Sequence, residues 1–183
     1  MHNKKKIYIL MTQTGTRFSK LLKLQSKHPY NHVSIALDRD LTQLYSFGRK
    51  HIYFPLFAGF IQEDISGGLY ALYHNTDCLL YEMNVSEKEY DNICSIIESF
   101  QEEEKHYRYN LLGLITILCG IPVERRYHFV CSQFVAYVLE KSNATKLPKS
   151  HTMITPQDFE YIGQKRRIYQ GKLLEYPRIS KVI

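Results

Sequence analysis

With 183 residues, of which 44% are hydrophobic and 23% charged, the chain suits one domain spanning residues 1–183, and disorder is not the starting expectation. No run approaches membrane-spanning length, and the five apolar residues from Ile7 to Met11 are too few for a signal-peptide core, so a cytoplasmic protein is expected. The net charge of +6 permits a weak anionic surface as partner, but basic residues gather on no single predicted helix and nucleic-acid binding has no support beyond charge.

In chain order, residues 6–12 read as a strand and 16–26 as a helix with Phe18, Leu21 and Leu22 along one side. Pro29 ends it. Residues 32–37 and 41–47 read as two strands of an antiparallel hairpin around Asp38 and Asp40. The aromatic, glycine-rich stretch 48–68 is expected to be a long ordered loop, in which His51 to Phe60, with Phe54 and Phe57, either forms an apolar wall of an acyl or peptide pocket or simply closes the core. Strands are expected at 69–73 and 78–84. Ser86 and Glu89 carry a capping-box signature, opening a helix to about residue 104 that buries Tyr90, Ile93, Cys94, Ile97 and Phe100. A nearly all-apolar helix is expected at 109–119, closed by Gly120 and Pro122. Phe134, Val135, Val138 and Leu139 recur at helical spacing, so another helix starts near Cys131 and ends near Ser142 and Asn143. Thr155 caps one more turn with Pro156 at its first position and Asp158 complementing the dipole. Residues 172–176 read as a last strand. The class is α+β, helices on a mostly antiparallel sheet.

Four cysteines, Cys78, Cys94, Cys119 and Cys131, form no CxxC pair, so neither structural zinc nor a disulfide framework is expected; no metal site and no cofactor is indicated. Cys94 and Cys119 read as core residues. Cys131 differs by position. At a helix start, unpaired amides and the macrodipole favour a thiolate, although from position alone a buried packing cysteine is the commoner case. A nucleophilic thiol needs a base. Of eight histidines, His32 stands out because it opens an apolar strand, where a ring is either a satisfied edge residue or a site residue.

The segment Asn31, His32, Val33, Ser34, Ile35, Ala36, Leu37, followed much later by Phe129, Val130, Cys131, Ser132, Gln133, resembles the circularly permuted branch of the NlpC-type papain-like superfamily, with its YiiX-like members and lecithin:retinol acyltransferase relatives. The resemblance runs from about Tyr30 to Tyr161 and rests on histidine preceding cysteine, the order of the permuted branch. It implies a papain-like fold with Cys131 as nucleophile and His32 as general base, the Cys131 amide forming part of an oxyanion hole. Tyr109 matches the family tyrosine and adds a hydroxyl there or packs as a half-buried aromatic, with Tyr107 as the alternative. Family members usually place a polar residue on the strand after the histidine strand; Ser46 is the best-placed candidate here and Gln43 the second. Serine is a poor orienter, since it cannot stabilise an imidazolium.

The expected function is a cysteine hydrolase, amidase- or peptidase-like, cutting an amide or other acyl bond of a small peptide, amide or acyl substrate through a thioester. Alternatives are a catalytically silent papain-like binding module, a lipid acyltransferase or phospholipase-like enzyme, and a small interaction protein whose basic surface docks an acidic partner.

Overall fold

The computed structural model describes residues 4–13, 28–50 and 58–178. Its centre is a six-stranded sheet in the order β4-β3-β2-β1-β5-β8, antiparallel throughout. The strands are β1 (Lys5–Gln13), β2 (His32–Ala36), β3 (Leu44–Arg49), β4 (Ala58–Glu63), β5 (Asp77–Val85) and β8 (Lys165–Lys172). Two short strands, β6 (Arg108–Tyr109) and β7 (His128–Phe129), pair in parallel beside it. The helices are α1 (Gly68–Leu72), α2 (Glu87–Glu102), α3 (Leu111–Leu118) and α4 (Cys131–Lys141), with 3-10 turns at His151–Met153, Pro156–Glu160 and Leu173–Glu175. Among the described residues no helix is long and apolar enough to cross a membrane.

Strand alternation sends side chains to the two faces of the sheet, and each face carries its own core. Ile7, Ile9, Met11, Val33, Ile35 and Phe47 meet α2 and α4, while Tyr8, Leu10, Ala36 and Leu44 pack with Tyr70 of α1 and with Leu173. Helix α4 is more than an amphipathic helix laid on a surface. From Cys131 to Ala136 every residue is buried, as are Val138 and Leu139. Phe134, fully buried, packs edge-on against Phe60 and Phe100, at ring-centroid distances of 5.5 and 5.0 Å. The sequence expectation of one apolar stripe understates this helix, because its polar residues are buried too and find partners inside.

Several boundaries differ from the sequence reading. The helix expected at 16–26 lies outside the described residues. The expected loop 48–68 contains β4, paired with β3 from Leu44↔Glu63 to Arg49↔Ala58; residues 51–57 lie outside the description. Gly59 permits this strand's close approach, since a Cβ there would stand 2.9 Å from the Tyr107 carbonyl oxygen. Phe60 is core, 2% exposed, and stacks on Tyr45, while Phe54 and Phe57 of the expected pocket wall lie outside the described residues. The strand expected at 69–73 is helix α1, closed by Ala71 N–H to Gly67 O and Tyr73 N–H to Leu69 O; five residues are too few for periodicity to separate the two. The last strand is β8, and Leu173–Glu175 forms a turn. β3 starts only at Leu44, because the Asp38 carboxylate accepts from the Thr42 and Gln43 amides and holds a turn there.

Elsewhere local chemistry carries through. Ser86 and Glu89 form the expected reciprocal cap. Helix α3 starts at Leu111, since Tyr109 is taken by β6, and ends where expected. Gly120 at φ 72° lets the Gly120 amide reach Ile117 O and the Ile121 amide reach Thr116 O. The burial expected of the cysteines does not follow: Cys94 is only half-buried and Cys119 is exposed. Helix α3 turns part of its apolar surface outward.

Candidate active site

Cys131 opens α4 directly after the extended residue Val130. A valine at the helix cap has no oxygen to accept from the first-turn amides, so the helix start keeps donors for an anion. The capping that does occur runs the other way: Gln133 Oε1 accepts from the Val130 N–H at 3.1 Å. The same oxygen accepts from Asn110 Nδ2 at 3.3 Å, while Gln133 Nε2 donates to Thr152 O at 2.8 Å. The Ser132 hydroxyl donates to Ile154 O at 2.6 Å. The two polar residues after the cysteine therefore pin the first turn of α4 to the segment 152–154 and to the cap of α3.

His32 opens β2, opposite Thr12 of β1. Its ring lies within hydrogen-bonding reach of Cys131. On the other side its Nε2 meets Glu63 Oε1 at 2.6 Å. Glu63 ends β4, with its side chain only 6% exposed. Its second oxygen, Oε2, accepts from the Ser34 hydroxyl at 2.8 Å and the Tyr70 hydroxyl at 3.0 Å. Tyr70 in turn lies 3.4 Å from the Thr12 hydroxyl. A line of contacts thus runs from the thiol through imidazole and carboxylate to α1.

The electrostatics follow from this line. Burial of the imidazole works against its protonation, yet the Glu63 carboxylate and then the Cys131 sulfur more than offset it, holding His32 well above its usual range. Burial alone would raise Glu63, but the imidazolium first, and then hydrogen bonds from His32, Ser34 and Tyr70, keep it below the ordinary carboxylate range. Tyr70 is pushed well up by burial and by the Glu63 charge, so its hydroxyl stays a donor.

The structure brings Cys131, His32 and Tyr109 together. Tyr109 lies on β6, where burial first and Cys131 next push its phenol up, with Arg49 opposing. Its phenol therefore stays neutral. Tyr107 plays a different part. It stacks on Phe100 at 4.2 Å between ring centroids, with burial pushing it up to about 12.

Ser46 does not orient the imidazole. Its buried hydroxyl donates to Val33 O at 2.8 Å, because β3 pairs with β2 and brings that carbonyl to it. Gln43 is exposed in the Asp38 turn. The carboxylate that meets the imidazole is Glu63, one strand further out, on a segment the sequence reading left as loop. Ser34, two residues beyond His32 on the same face of β2, was legible by strand periodicity; Glu63 and Tyr70 carried no local signal. His128 is held away, its Nδ1 2.7 Å from Arg126 O. Among the described residues no group of three or more His, Cys, Asp or Glu is placed to hold a metal ion.

Comparison of the chain with protein-family models, with curated proteins and with solved structures gives no match.

Proposed function

We propose that this chain is a cytoplasmic thiol hydrolase of the permuted papain-like kind, cutting an amide or other acyl bond through a thioester on Cys131. The observation that carries the reading is the line Cys131, His32, Glu63, in which a buried carboxylate on Nε2 leaves the opposite ring nitrogen for the thiol. A structural cysteine needs no such partner, and a strand-edge histidine needs no buried carboxylate.

In the proposed reaction the Cys131 proton is carried by His32, which Glu63 favours as the imidazolium, and the sulfur attacks the carbonyl carbon, forming the C–S bond. The charge moving onto the carbonyl oxygen is met by the Cys131 amide at the start of α4 and by the Tyr109 hydroxyl. The C–N or C–O bond then breaks as His32 gives its proton to the leaving group. Water, deprotonated by His32, attacks the thioester; the C–S bond breaks, the acid leaves, and the sulfur recovers its proton. Glu63 holds the ring in one orientation and stabilises the imidazolium at each stage.

The deciding experiment is site-resolved alkylation of Cys131 against pH in the wild type, His32→Ala and Glu63→Gln, with Cys94 as internal reference. The reading predicts that Cys131 reacts faster than Cys94 near neutral pH and loses that advantage in His32→Ala. A Cys131 no faster than Cys94, or indifferent to His32, removes the enzyme reading.

A further inference from the structure

Helix α3 presents an aliphatic side to solvent. Leu111, Leu112 and Ile115 are 49, 56 and 57% exposed, and Ile121 just beyond its end is 53% exposed. At i, i+1 and i+4 the three helical residues share one side. From Tyr109 to Val123 the chain has no charged residue. Nor is this a fraying end. Asn110 Oδ1 accepts from the Gly113 amide at 2.9 Å and from the Arg125 guanidinium at 3.2 Å, and the glycine cap closes the other end. An ordered helix with its aliphatic side in water is the signature of an interaction surface.

Size and chemistry argue for one occupant. Four such half-exposed side chains offer roughly 400 Å², about half of what each partner contributes to a standard protein–protein interface. The patch also lacks the aromatic anchors that dominate such interfaces. The apolar run is flanked by Lys105 and Arg108 on one side and by Arg125 and Arg126 on the other, with Glu124 the only acidic residue from 105 to 126. Glu102, Glu103 and Glu104 precede this segment, and Glu104 is engaged by Lys50 at 2.6 Å. An aliphatic run with basic residues on both sides in sequence, Arg108 and Arg126 both exposed, has the composition that suits an anionic bilayer surface, apolar below and negative above.

We propose that α3 is an interfacial docking element that seats its aliphatic side in the headgroup boundary of an anionic lipid bilayer, with Arg108 and Arg126 among the lipid headgroups. The proposal is independent of the hydrolase reading. It has a consequence for the site, because Asn110 joins the cap of α3 to Gln133 in the first turn of α4, so docking holds that turn beside the membrane surface.

The test is sedimentation of the full chain with vesicles of phosphatidylcholine alone and of phosphatidylcholine with phosphatidylserine, at low and high salt. The wild type is expected to bind the anionic vesicles and to release as salt rises. Leu112→Glu with Ile115→Glu should lower the bound fraction at least tenfold with an unchanged melting temperature, since both positions are exposed. Arg108→Gln with Arg126→Gln should weaken binding to the anionic vesicles by about fivefold per charge. Cys131→Ala should bind like the wild type, which separates this surface from the thiol chemistry. No binding to any vesicle, or binding untouched by the double glutamate variant, overturns the proposal. So does a dimer in light scattering that the same variant dissolves, which would make a second copy the occupant.

Discussion

His32 and Tyr70 hold opposite oxygens of one carboxylate: Glu63 gives Oε1 to the ring at 2.6 Å and Oε2 to the phenol at 3.0 Å. With Ser34 also on Oε2, the carboxylate cannot turn away from the histidine without breaking two buried hydrogen bonds. The imidazole is thereby fixed from behind, by an element on the opposite face of the sheet from α4.

The pair should leave a signature in stability against pH. His32 is raised from an ordinary 6.5, so its contribution is fully present below 6.5 and is lost as pH rises through the folded value. Glu63 is lowered from 4.5, so its contribution is present above 4.5 and is lost as pH falls through the folded value. The stability gap between wild type and Glu63→Gln should therefore be widest between about pH 4.5 and 6.5 and narrow on both sides. Urea unfolding at a series of pH values measures it; a gap that is flat with pH would mean the two groups are not an ion pair.

Exchanging the two candidates for the orienting role separates them. Ser46→Ala removes a hydrogen bond to Val33 O and should cost about 1 kcal/mol of stability while Cys131 reactivity stays within about twofold. Glu63→Gln should slow alkylation of Cys131 or turnover of an acyl probe on the order of 10²-fold, the scale of a misplaced catalytic group. If Ser46→Ala is the more damaging for reactivity, the assignment of Glu63 is wrong.

Tyr70→Phe deletes one donor to Glu63 and leaves the packing of α1 in place. The carboxylate should become easier to protonate, so the acid limb of the Cys131 reactivity profile should move to higher pH. The plateau should fall only a few-fold, the scale of one hydrogen bond to a charged group. An acid limb that stays in place with an intact plateau would reduce Tyr70 to a packing residue.

The core under the thiol is a separate matter. Phe134→Ala on α4 empties a site of zero exposure beneath the aromatic cluster and should cost about 3–5 kcal/mol. Thermal unfolding checks it. A loss below about 1 kcal/mol would show that the cluster closes over the gap.

The sequence by itself determined the elements whose signals are local. The Ser86 capping box, the glycine cap after α3, the apolar runs of β1 and β5 and the α4 periodicity each depend on residues a few positions apart, and each formed as read. Local too was the singularity of Cys131 at a helix start and of His32 at a strand start. Tertiary structure decided what stands behind His32. Glu63 lies 31 residues from His32 on a strand of weak pattern, and only the β2-β3-β4 pairing carries it to the ring. Tyr70 sits on a segment whose five residues suit strand or helix alike. It was decided by burial on the second face of the sheet and by the hydroxyl's partner there. The same logic explains α3, whose apolar composition reads as core until neighbouring elements fill the sheet faces and leave one side outside. Periodicity records which residues share a side, whereas burial depends on what the rest of the chain has already covered.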